Sequence, residues 1–147
     1  MAAILTLSFV LPSHGEILIS VELDCFGDDV VSFELSPNEV APDFTVELSP
    51  LSFISDFTFQ IVDSSEEADL VFADEISYAD KLVCKSSTAL DVTTIRVVET
   101  AIAPDLKITL SESVYNPDYK FFVDSEVFSV EEAAAVFAVM RAQRRQY

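Results

Sequence analysis

Seven aspartates recur through the middle of the chain, at Asp43, Asp56, Asp69, Asp80, Asp91, Asp105 and Asp118, spaced 11 to 14 residues apart. Carboxylates brought into line by such a repeat repel one another unless they bind cations or accept hydrogen bonds. Asp is poor inside strands but good just before them, where its carboxylate accepts backbone N–H groups in an Asx turn. The residue before each Asp is small, apolar or Pro (Pro42, Ser55, Ala68, Ala79, Leu90, Pro104, Pro117). That choice suits an extended entry, so the seven read as local caps at strand starts. Asp24, Asp28 and Asp29 surround Gly27 and offer oxygens that a hard cation accepts. The calcium-loop pattern D-x-D-x-D-G is absent, however, and hairpin turns take Asp and Gly for backbone reasons alone. No metal site is expected.

Catalytic chemistry has little to work with. His14 is the only histidine, and it lies in PSHGE, a turn-like stretch. No G-x-S-x-G occurs, and two glycines, Gly15 and Gly27, cannot build a phosphate loop or a GxGxxG cradle. The expectation is a non-enzyme with no catalytic residues and no cofactor; a hydrolase would need a pocket beside His14. Cys25 and Cys84 make no disulfide framework, and Cys84, in an apolar run, reads as a buried thiol. A reducing cytoplasm fits that reading. Met1 to Leu11 lacks the basic start of a secretory signal, and no run approaches a membrane span.

The elements that must position these residues are short strands. A length of 147 residues with half the chain apolar suits one domain with a real core, residues 1–147. Over residues 1–36, apolar residues alternate with polar ones at Leu5–Leu11, Ile17–Leu23 and Val31–Leu35, with PSHGE and CFGDD between. Period two with intervening turn residues predicts antiparallel hairpins with one wet face. Over 43–128 each Asp leads an apolar alternation, such as Phe57, Phe59, Ile61 after Asp56. The unit after Asp80 breaks phase, with Leu82 and Cys84 at the apolar places, and so does the unit after Asp91, with Ile95 and Val97. Residues 129–145 predict a helix: Ser129 and Glu132 form a capping box, Glu131 and Glu132 meet the positive end of the dipole, and Arg141, Arg144 and Arg145 the negative end. Val130, Ala133, Ala134, Phe137 and Met140 form its apolar stripe. The fold class is mostly β, with about ten short strands and one C-terminal helix, arranged as a β-sandwich or open barrel.

The pieces FQIVDSSEEADLVF (59–72) and DYKFFVDSEVFSVEEAA (118–134) resemble a small bacterial family of unknown function, the septuple-knot β family, whose unit runs V-D-S-x-x-x-A-D-L-x-V-Y. The likeness rests on Val62-Asp63-Ser64, Ala68-Asp69-Leu70 and Val123-Asp124-Ser125 and spans residues 43–134. The units at Asp91, Asp105 and Asp118 lack the Ala. The resemblance implies about seven interlocked strands, a knotted chain, and no catalytic residue.

Charge points to a partner. The formal net charge is -18, and residues 1–80 hold 17 acids with no Lys or Arg. Such a half repels a phosphate backbone and suits a basic protein. Glu22, Asp24, Glu34, Glu39 and Glu47 fall at the polar places of the early strands, a candidate acidic binding face with no cation among them in sequence. The expected function is protein binding without catalysis. The alternative is an acidic inhibitor or immunity-type protein that mimics nucleic acid and blocks a basic cleft.

Overall fold

The computed structural model describes residues 16–89 and 91–145. Nine strands lie among them: β1 (Ile17–Val21), β2 (Val30–Leu35), β3 (Phe44–Leu48), β4 (Phe57–Ile61), β5 (Leu70–Asp74), β6 (Lys81–Lys85), β7 (Thr93–Val98), β8 (Leu106–Ser111) and β9 (Tyr119–Asp124); one helix, α1 (Val130–Arg145), follows. The first expected strand, Leu5–Leu11, lies outside the described residues.

The strands close into a barrel in the order β1-β5-β9-β4-β8-β3-β7-β2-β6. Every seam is parallel. Each strand lies two places round the ring from its predecessor, so the chain circles the barrel twice and each connection passes over one strand of the other circuit. This corrects the expectation of N-terminal hairpins. β6 stands between β1 and β2, pairing with both. Alternation of apolar and polar residues reports that a strand has two unlike faces, and it is silent on strand direction.

The third residue of each strand points inward, save in β2, where the fourth, Phe33, does. Ile19, Phe33, Val46, Phe59, Phe72, Val83, Ile95, Ile108 and Phe121 are fully buried in one cluster with α1. The unit after Asp80 therefore keeps phase: Val83 faces in, while Leu82 and Cys84 face out. The helix is the barrel's filling. Seven consecutive residues, Ala133–Val139, are buried, which needs neighbours on all sides rather than along one stripe. Small alanines let α1 approach β7 and β8. Rings fill the neighbouring side, along β4 and β9: Phe59 lies 5.3 Å from Phe121, 5.8 Å from Tyr119 and 6.1 Å from Phe137, centroid to centroid. The capping box forms as the sequence predicts, with Ser129 N donating to Glu132 Oε1 (2.9 Å) and Glu132 N to Ser129 Oγ (3.1 Å). Lys85 Nζ meets Glu132 Oε1 at 3.0 Å where the helix enters the barrel.

The aspartates do begin strands, but they do not cap their own. Asp43, Asp56, Asp69, Asp80, Asp105 and Asp118 each grip the second residue of the adjacent strand. The Asp N–H donates to that residue's carbonyl, and the carboxylate accepts that residue's N–H. The partners are Thr94, Lys107, Lys120, Leu18, Thr45 and Thr58 respectively. Register explains the choice. At each of these six seams the first residue of one strand faces the third of the next, as Phe57 faces Ile108 and Leu106 faces Val46. The residue just before the strand then stands beside its neighbour's second residue. The other three seams break that stagger: Ile17 faces Leu70, Val30 faces Leu82, and Thr93 faces Phe33. Among the described residues the clamp is absent at those three. Asp91 sits two residues before β7, at φ 56°, out of place for a clamp.

Candidate binding surface

With α1 inside, the connections run over the outer face, and the fourth residue of a strand ties down the crossover above it. Ser20 Oγ accepts Ile76 N–H (2.8 Å) and Glu47 Oε1 accepts Ala101 N–H (3.0 Å). Gln60 Nε2 donates to Glu112 O (3.3 Å), Arg96 Nη1 to Glu39 O (3.4 Å), and Thr109 Oγ1 to Ser49 O (2.8 Å). Cys84 fills the same place on β6 and is bonded to Cys25 of the crossover above. The reading of Cys84 as a buried thiol is thereby corrected. Its outward place under a crossover is what puts it beside Cys25, 59 residues earlier.

Anchored in this way, the crossovers hold large apolar side chains out in water. Phe26, Val40, Phe53, Tyr78, Ile102 and Tyr115 are each at least 82 % exposed. Five of them stand four residues before the next strand, and Tyr78 three. The crossovers over β4, β8, β3 and β7, four neighbours in the ring, carry Tyr115, Phe53, Ile102 and Val40. A soluble domain scatters single apolar residues over its surface; the same place in repeated units is a different pattern. Sequence reasoning passed over these residues, although the signal was present as an apolar residue three before the Asp: Phe26-x-x-Asp29, Val40-x-x-Asp43, Phe53-x-x-Asp56, Ile102-x-x-Asp105, Tyr115-x-x-Asp118.

The five acids of the expected face do not form one uninterrupted patch. Glu34 lies on β2 and Glu47 on β3, and β7 between them brings Arg96. Glu47 is committed to Ala101 N–H, Glu22 accepts the Ser20 hydroxyl (2.8 Å), and Asp24 accepts Phe26 N–H (3.3 Å) in an Asx turn. Glu39 lends its carbonyl to Arg96. The absence of cations in sequence order did not carry over to space, because residues 51 apart, such as Thr45 and Arg96, are neighbours here. Among the described residues no group of three His, Cys, Asp or Glu is arranged to hold a metal ion, and no helix is long and apolar enough to cross a membrane. His14 lies outside the described residues. Comparison with family models, curated proteins and solved structures gives no match.

Proposed function

We propose that this protein works by binding, without catalysis, and that its binding surface is the set of anchored crossovers. The observation that carries the reading is the repeated exposed apolar residue: Phe53, Ile102 and Tyr115, on neighbouring crossovers, each followed by an acid three residues later. Aromatic and aliphatic anchors surrounded by like charge suit a protein partner with apolar sockets in a basic setting. Arg96 among the early acids favours this over a continuous array mimicking nucleic acid. The cytoplasmic setting rested on Cys84 as a thiol together with the want of a secretory signal or membrane span; the Cys25–Cys84 bridge removes the first ground, and we infer from it an oxidising compartment. Kinship with the septuple-knot family, with its interlocked chain, is part of the same proposal: nine evenly spaced strands, most of them led by an acid, are what tandem copies of one unit would make.

The test is capture at low salt by the full chain and by a Phe53→Ser/Ile102→Ser/Tyr115→Ser variant with an unchanged melting curve. The expected result is a basic partner held by the parent, released by salt, and lost by the variant. A partner held equally by both, or the recovery of no basic partner, overturns the reading.

A further inference from the structure

The barrel's N-terminal mouth, where α1 leaves, holds a cavity of about 350 Å³. Its walls are apolar: Ile17 and Ile19 from β1, Phe137 and Met140 from α1. Its rim carries Lys81, Arg141 and Arg144, beside the carboxylates of Glu16 and Asp80. Three of the chain's eight cations thus gather at one apolar cavity in a strongly acidic protein. Among the described residues, none of the three has a carboxylate within ion-pair distance, and the Asp80 carboxylate is occupied by Leu18 N–H.

β6 sharpens the point. It is the strand whose inward places at both ends are lysines, Lys81 and Lys85. At the opposite mouth Lys85 is neutralised by Glu132 and also donates to Val127 O (3.2 Å). Lys81, its counterpart, faces the cavity with no such partner among the described residues. Lys81 is exposed, so its ammonium stands at the rim with its stem along the apolar wall, free among the described residues to meet an anionic head group.

From this we propose that the mouth binds a single-chain amphiphilic carboxylate of medium length. Its tail packs on Ile19, Phe137 and Met140, and its head group is met by Lys81, Arg141 and Arg144. Against the carboxylates of Glu16 and Asp80 the three cations leave an excess of one positive charge, which a carboxylate head group balances, and the guanidinium forks match its geometry. Apolar walls with a few convergent polar groups are what small-molecule sites are made of. The site lies inside the rim and is separate from the crossover surface, so either proposal stands without the other.

The test uses the full chain with isotope-labelled Ile and Met methyl groups, titrated with decanoate and, in parallel, with decanol. The expected result is saturable shifts of the Ile17, Ile19 and Met140 methyls by decanoate, with decanol at least about tenfold weaker. A Lys81→Gln/Arg141→Gln/Arg144→Gln variant is expected to weaken decanoate about tenfold or more and to leave decanol unchanged, since loss of charge-assisted bonds is worth that much. A Met140→Trp variant, filling the cavity, abolishes both. The proposal is overturned if decanoate leaves those methyls unmoved. Equal binding of decanol, or decanoate binding indifferent to the triple substitution, overturns it as well.

Discussion

Asp118 and Thr58, sixty residues apart in the chain, hold each other through both main chain and side chain. Thr58 N and Oγ1 donate to Asp118 Oδ2 at 2.8 and 3.1 Å, while Asp118 N donates to Thr58 O (3.0 Å) and Oγ1 (2.9 Å). Asp43 and Thr94 repeat the arrangement on another seam. The carboxylate does the work that a further backbone carbonyl would do if the neighbouring strand were one residue longer. It lets a short strand begin without orphaning its neighbour's amide.

Removing that acceptor should be felt. Asp118→Ala leaves the part-buried Thr58 N–H without its partner, and an unsatisfied buried donor costs about 1–3 kcal/mol. Asp118→Asn removes the same charge but keeps an acceptor oxygen, so it should cost about 1 kcal/mol less than the alanine change. Chemical denaturation of the two variants separates the hydrogen bond from relief of charge repulsion. Equal losses would mean that charge alone matters.

The Cys25–Cys84 bond pins one crossover to β6. Closing a loop with a sequence separation of 59 contributes about 4 kcal/mol in the chain-entropy view. A Cys25→Ser/Cys84→Ser double variant should therefore unfold at clearly lower denaturant. The parent should show no free thiol to a thiol reagent after denaturation without reductant. Two reactive thiols per chain would contradict the bridge.

The interior should tolerate little change in volume. Phe59, buried among four rings, should lose about 3–5 kcal/mol on substitution by Ala. Ala134→Leu places extra methyl groups between α1 and the barrel wall and should cost about 1–3 kcal/mol by overpacking. An exposed alanine such as Ala103 gives the reference. An Ala134→Leu change as mild as Ala103→Leu would argue that α1 is not enclosed.

Deleting residues 129–147 removes the filling of the barrel along with its cap. Cooperative thermal unfolding should vanish, with strong binding of a dye that reports exposed apolar surface. A truncated chain that melts as the parent does would place the helix outside the barrel.

Much of the fold was legible along the chain, and the reasons for the misses are specific. The strand starts at Asp43, Asp56, Asp69, Asp80, Asp105 and Asp118 follow from local propensity, as does the helix cap at Ser129 and Glu132. The partner of each Asp did not follow, because a separation of 51 to 62 residues is set by register in the closed ring. Leu82 and Cys84 misled because apolar residues can lie outward when a crossover covers them, while Lys81 and Lys85 occupy inward places at the mouths. The acidic surface suffered the same way: neighbours in space are strands from different circuits, so Arg96 enters between Glu34 and Glu47. The exposed apolar residues were readable from the apolar-x-x-Asp pattern once the Asp was treated as a fixed reference point.

The central claim is that the repeated aspartates bind across seams of a barrel wound twice. It is tested most directly by nitrogen–carbon coupling through the hydrogen bond between Thr58 N–H and the Asp118 carboxylate, in labelled protein by NMR. The account predicts a coupling from the Thr58 amide nitrogen to the Asp118 carboxyl carbon, and the equivalent from Thr45 to Asp105. A coupling from Tyr119 or Lys120 to Asp118 instead, the signature of a cap on its own strand, would contradict it.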